Sequence, residues 1–161
     1  METSDVTTNH VELKKKVLDA AIKKHQTVID DFSGSIKEML ASEGIVNEDE
    51  MDLSQQEFNT ELVHKSNQIA DQLAFANEEM KILFDMAPVI GSIHNTIQPG
   101  SVVVTDRENF FVSTSVEAFS AGGMDFFGLS TQSPLFKAME GKKSGDHFSH
   151  NYSDYRVIEV F

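Results

Sequence analysis

Glu48, Asp49, Glu50 and Asp52 fall within one short stretch of this 161-residue chain, and Glu57 follows five residues after Asp52. Carboxylate oxygens are what a hard cation such as Mg²⁺ takes as ligands, while the same run also suits a solvated loop with helix-capping carboxylates. A second group, Asp146, His147, His150 and Asp154, has metal-ligating side chains. Residues three apart on a strand point to opposite faces, so that group makes a poor cage. Ser133 carries a hydroxyl with no base beside it, and its place before Pro134 suits a helix cap better than a nucleophile. Gly122-Gly123 fits no phosphate-cradling motif and reads as a flexible loop at Ser120 to Gly123. Lys14, Lys15, Lys16, Lys23 and Lys24 make a basic patch in an otherwise acidic sequence.

Whole-chain chemistry narrows the function classes. The formal net charge of -13 opposes binding to a bare phosphate backbone, which depends on Lys and Arg releasing counterions. Sequence-specific DNA reading is therefore not expected, although an acidic protein can work beside nucleic acid by docking on a basic protein that holds it. With no cysteine, disulfides, thiolate zinc sites and Cys nucleophiles are excluded. The polar start METSDVTTNH is no secretion signal, and no run approaches the roughly 18 apolar residues of a membrane span. A soluble cytoplasmic protein is expected.

Those residues must be positioned by two contrasting regions. Residues 10–87 hold no proline and two glycines, whereas 88–161 hold all three prolines, the other seven glycines and eight of the twelve phenylalanines. In the first region, Lys15, Ile22, Ile29, Ile36 interleave with Leu18, His25, Phe32, Met39 at heptad spacing, and Leu62, Ile69, Ala76, Leu83 interleave with Ser66, Leu73, Met80. Two helices with narrow apolar stripes are stable only packed together, and a short connection makes them antiparallel. At about 1.5 Å per residue each is a rod of roughly 45 Å, long enough to project from a small domain. His25 on the first seam reads as a packing residue. Gly34 costs its helix about 1 kcal/mol relative to Ala.

The predicted organisation is a flexible N-terminus over 1–9, a coiled-coil hairpin over 10–87 with its tip at about 43–54, a linker over 88–100 and a β-rich domain over 101–161. At the tip, Gly44 can end the first helix, and Asp52 or Ser54 with Glu57 can cap the second. The apolar Val89, Ile90, Ile93 and Ile97 predict a linker packed on the second domain. There, Ser101 to Thr105 and Asn109 to Ser113 predict a hairpin, Ser115 to Phe119 and Phe126 to Ser130 two more strands, and Asp146 to His150 and Tyr155 to Phe161 the last two. Ser133 as N-cap, Pro134 at the first position and Gly141 at the end predict one short helix.

The segment Leu129-Ser130-Thr131-Gln132-Ser133-Pro134-Leu135-Phe136-Lys137-Ala138-Met139-Glu140-Gly141-Lys142-Lys143-Ser144-Gly145-Asp146 resembles the C-terminal domain of the Gre transcript-cleavage factors. Tyr155 to Val160 resembles its closing strand, and with the N-terminal hairpin the resemblance covers nearly the whole chain. It implies an α+β protein in which a coiled-coil hairpin precedes a small FKBP-like domain with one short helix. It further implies docking on RNA polymerase, entry of the tip into the secondary channel, and cleavage of RNA in backtracked complexes. The chain would not be an enzyme itself and would stably bind no cofactor. Asp52, Glu50 and Glu57 are then the expected catalytic carboxylates assisting the polymerase, with Asp52 and Asp49 ligating Mg²⁺ shared with its active site. Ser133, Pro134, Leu135 and Phe136 are expected to contact the partner, and Lys15, Lys16, Lys23 and Lys24 to face nascent RNA held by the polymerase.

One position departs from the family pattern, which has a Glu three residues after the Asp. Here that position is Gln55, a neutral amide, and Glu57 sits about 140 degrees around the helix from Asp52. A channel binder that modulates or inhibits without cleavage is thus an alternative, and a coiled-coil adaptor for an unrelated protein is the rival from another class. Peptidyl-prolyl isomerisation follows only from topology, and a chain without tryptophan has little to build an aromatic pocket with.

Overall fold

The computed structural model describes the backbone of residues 2–43 and 53–161, and the side chains of 5–42 and 60–161. Its elements in order are α1 (Glu2–Glu43), α2 (Leu53–Met86), a 3₁₀ turn (Ala87–Val89), β1 (Val102–Thr105), β2 (Asn109–Ser113), β3 (Val116–Ala121), β4 (Met124–Ser130), α3 (Pro134–Met139), β5 (His147–His150) and β6 (Ser153–Val160). Long helices followed by a largely antiparallel sheet make the chain α+β. No helix among the described residues is long and apolar enough to cross a membrane.

The chain divides inside its helices. One compact unit joins Met1–His25 to Glu79–Phe161, and the other is Gln26–Glu78. That division does not follow the expected boundary at residues 87/88, because His10 of α1 and Glu79 of α2 both contact the sheet-bearing part of the unit. Residues 2–9, expected to be a flexible terminus, are helical from Glu2. An anchor lies just beyond them: the His10 ring stacks on Phe161 at 4.1 Å, and its Nε2 is 2.8 Å from Glu159 Oε1. Two cross-contacts fix the helix directions in this unit. Lys14 Nζ donates to the Ser92 carbonyl at 2.6 Å, and His25 Nε2 lies 3.7 Å from Glu79 Oε2. As α1 advances, its partner position falls back, so the helices are antiparallel.

Every second-seam position is sheltered: Leu62, Ser66, Ile69 and Leu73 are half-buried, and Ala76, Met80 and Leu83 buried. On α1, Leu18, His25 and Ile29 are buried and Ile22, Phe32, Ile36 and Met39 half-buried, but Lys15 is exposed. Lys14, Val17 and Ala21 are buried instead. The buried stripe widens there because α1 packs against the sheet domain as well as α2, and a helix with two neighbours needs more than a two-in-seven seam.

The six strands lie in the order β3-β4-β2-β1-β6-β5. β1 and β2 form the expected antiparallel hairpin, with Val103 opposite Phe110. β2 then pairs in parallel with β4, Val112 beside Leu129, while β3 is carried to the outer edge. β1 and β2 carry buried side chains on both faces, as the apolar runs Val102-Val103 and Phe110-Phe111-Val112 allow. On one face, Val103, Phe110, Val112, Leu129 and Val157 pack under Phe136 and Met139 of α3. Side chains of the other parity, including Val102, Phe111 and Phe126, are also buried.

The segment 120–123, expected to be a flexible loop, is a tight turn within a hairpin. Gly122 and Gly123 have φ of 58° and 79°, matching the two left-handed residues of a type I′ turn. A Cβ on Gly122 would lie 2.6 Å from Leu13 Cδ1, so a side chain there would also push the end of the Leu13 side chain aside. The linker is pinned: Ile90 and Ile97 are buried, Ile97 N–H donates to the Lys142 carbonyl, and Gly141 N–H donates back to the Ile97 carbonyl, both at 2.8 Å.

Candidate functional site

The Gre-like segment forms strand, capped helix and turn. The Ser133 hydroxyl accepts the Phe136 N–H at 3.1 Å, so its oxygen serves as N-cap, and Pro134 occupies a position whose N–H would lack a partner. Gly141, at φ 75°, closes the helix, and Asp146 Oδ2 accepts the Lys143 N–H at 3.0 Å across the turn. Gly145, at φ 91°, donates to the Val157 carbonyl at 2.8 Å, tying that turn to β6. Of the four residues expected to meet a partner, Pro134 is exposed, Ser133 and Leu135 are half-buried, and Phe136 is only 4 % exposed. Phe136 belongs to the core, which corrects its assignment to a docking surface: the helical period that exposes Pro134 turns Phe136 inward.

The basic residues do not form one patch. Lys15, Lys16 and Lys23 are exposed, and Lys24 is half-buried with Nζ 3.5 Å from Glu117 Oε2. At 100° per residue, Lys16 and Lys23 share a face of α1, whereas Lys15 and Lys24 lie on opposite sides. Lys14 is fully buried, and desolvation lowers its pKa to about 8.

Asp49, Glu50 and Asp52 lie outside the described residues, as does the side chain of Glu57, which is on α2. In the C-terminal group, Asp154 Oδ1 accepts the Ser149 hydroxyl and Asp146 caps its turn. No cluster of three or more potential metal ligands occurs among the described residues.

Sequence reasoning did not anticipate a polar junction where α1, α2 and the sheet meet. Glu79, 8 % exposed, accepts a hydrogen bond from the Thr114 hydroxyl on Oε1 at 2.7 Å and faces His25 through Oε2. This arrangement joins both helices to the segment between β2 and β3. The sequence signal was His25 on a seam whose other members from Leu18 to Met39 are apolar. Nearby, Lys14 reaches Ser92, and His94 Nδ1 lies 2.9 Å from the Ser101 hydroxyl. Burial, reinforced by the charge of Lys14, lowers the His94 pKa below its ordinary 6.5. Among the described residues no buried side-chain nitrogen or oxygen lacks a hydrogen-bond partner.

No family model matches the chain, and no curated protein matches it. Among solved structures it is similar to Gfh1 of Thermus aquaticus, at 19 % identity over 88 % of this chain and 94 % of that one, with a TM-score of 0.30. At that TM-score, the architecture above stands on this chain's own elements.

Proposed function

We propose that this is a cytoplasmic bacterial transcription elongation factor of the Gre type, which binds RNA polymerase and places the tip of its helical pair in the secondary channel. One observation carries the proposal: the segment 129–146 that resembles the Gre C-terminal domain folds as a strand, a Ser133-capped helix and a Gly-rich turn. The same chain carries two long helices, Glu2–Glu43 and Leu53–Met86, each with a largely apolar seam at heptad spacing. The net charge of -13 suits docking on a basic, nucleic-acid-holding machine rather than on nucleic acid alone.

The chemistry in this proposal belongs to the polymerase, and the chain is not itself an enzyme. Magnesium in the polymerase active site supplies electrophilic activation of water and phosphate. Asp52, with Asp49, Glu50 and Glu57, would lend carboxylate oxygens beside that metal, and Lys16 and Lys23 would present positive charge to RNA already in the complex. Partner contact by the C-terminal domain falls to Pro134 and the exposed edges of Ser133 and Leu135.

Gln55 favours a second form of the proposal. An amide three residues after Asp52 is a weaker metal ligand than the carboxylate the family pattern has there, which suits a channel binder that modulates the polymerase without stimulating cleavage. The test is RNA cleavage in a backtracked elongation complex, with the intact chain and with Asp52→Ala. Cleavage that rises with the chain and falls with the variant supports the cleavage factor. A bound chain that leaves cleavage unchanged or slower supports the modulator. A chain with no effect on the complex sinks both.

A further inference from the structure

A seam of apolar side chains at heptad spacing holds two helices together without deciding which residue faces which, because a slip along the seam sets one hydrocarbon in place of another. Leu18 and Ile22 on α1 and Met80 and Leu83 on α2 are such side chains. His25 and Glu79, 3 % and 8 % exposed, stand among them. Glu79 is the single buried carboxylate among the described residues, and both of its oxygens are engaged. Oε1 accepts the Thr114 hydroxyl at 2.7 Å, and Oε2 lies 3.7 Å from His25 Nε2. Thr114 is itself buried and belongs to the segment between β2 and β3, so one side chain of α2 is tied at once to α1 and to the sheet.

Stability does not account for this arrangement. Taking a carboxylate out of water costs about as much as its contacts return, and apolar side chains of similar volume would fill the same space without that cost. What the carboxylate adds is a penalty for every other alignment. If either helix shifts by one turn, Glu79 faces hydrocarbon without Thr114 or His25, and a buried carboxylate lacking donors is far more unfavourable than a mismatched leucine. The other buried cross-contact, Lys14 to the Ser92 carbonyl, is less selective, since each neighbouring residue also presents a carbonyl. We propose that Glu79 is a positioning residue: its contacts with Thr114 and His25 fix the register of α1 against α2 and the seat of both on the sheet, at the expense of stability. A register key of this kind acts whatever partner the helical pair meets.

The experiment measures urea stability alongside a distance between the helices. The chain has no cysteine, so Lys16→Cys and Lys81→Cys, both at exposed positions, carry paired spin labels without background. The labelled chain should show one distance. Glu79→Leu alone should lower the urea midpoint, because it strands His25 and Thr114 in apolar surroundings. Adding His25→Leu and Thr114→Val should bring the midpoint back to that of the unsubstituted chain or above it, while a second distance appears, displaced by up to the roughly 5.4 Å of one helical turn. Glu79→Gln, whose amide oxygen still accepts from Thr114, should keep the single distance. A triple variant that stays destabilised or fails to fold means that the junction serves stability. A stable triple variant with one unchanged distance means that the apolar seam sets the register alone. Either result overturns the proposal.

Discussion

In the unit made of Met1–His25 and Glu79–Phe161, the long helices bury Lys14, Val17, Leu18, Ala21, His25, Glu79, Met80 and Leu83, polar groups among them. In the unit Gln26–Glu78 the same helices bury only Ile29 and Ala76 among the described residues, with half-buried positions in between. One pair of helices thus does two kinds of work. Where a helix has a sheet as well as a helix for a neighbour, its buried stripe broadens and absorbs hydrogen-bonded polar groups. Where it has only the other helix, the stripe stays narrow, and burial of about 25 cal/mol per Å² contributes correspondingly little. Local opening is thus expected to begin in Gln26–Glu78, and amide exchange should be faster there than in β1 and β2.

The sharpest way to break the contrast is Phe111→Ala. Phe111 is fully buried in the central strand β2, and truncation should cost about 3–5 kcal/mol in denaturant unfolding, more than any alanine substitution along the seam of Gln26–Glu78.

Lys14 gives a pH signature confined to the broader unit. Burial holds its pKa at about 8 against an ordinary 10.5, so the folded chain sheds this proton more readily than the unfolded one. The linked stability is fully present above pH 10.5 and is lost as pH falls through 8, a span on the order of 3 kcal/mol. Stability curves of the unmodified chain and Lys14→Met, compared from pH 7 to 11, should differ by that slope. Parallel curves would mean Lys14 is not desolvated.

Smaller effects sharpen the contrast at its two ends. Ser133→Ala removes the cap of α3 and should lower the urea midpoint by the equivalent of about 1 kcal/mol. Gly34→Ala lies in helix with nothing within 4 Å of the added Cβ, so it should stabilise Gln26–Glu78 by roughly 0.5–1 kcal/mol. Slower amide exchange along residues 26–42, with β1 and β2 unchanged, is the expected result.

Features carried by short-range patterns were legible in the sequence. The second seam from Leu62 to Leu83 has the spacing the structure shelters, and Ser133-Pro134 with Gly141 marked α3 within its own few residues. What depended on distant partners was not. The parallel pairing of β2 with β4 comes from β3 crossing to the edge, which alternation within a strand does not encode. Lys14 reads as a surface residue until the Ser92 carbonyl, 78 positions away, accepts its hydrogen bond, and Glu79 gains its role from His25 and Thr114. The lysines of α1 are spread for a simpler reason: nine residues at 100° each set Lys15 and Lys24 on opposite sides of one helix.

The central claim is that this chain is a polymerase factor, and binding tests it most directly. Sedimentation of the intact chain with the core RNA polymerase of its own source should give a one-to-one complex, and a Gre cleavage factor should displace the chain from it. If the chain and the polymerase sediment independently at low salt, or the complex is indifferent to the competitor, the account is contradicted.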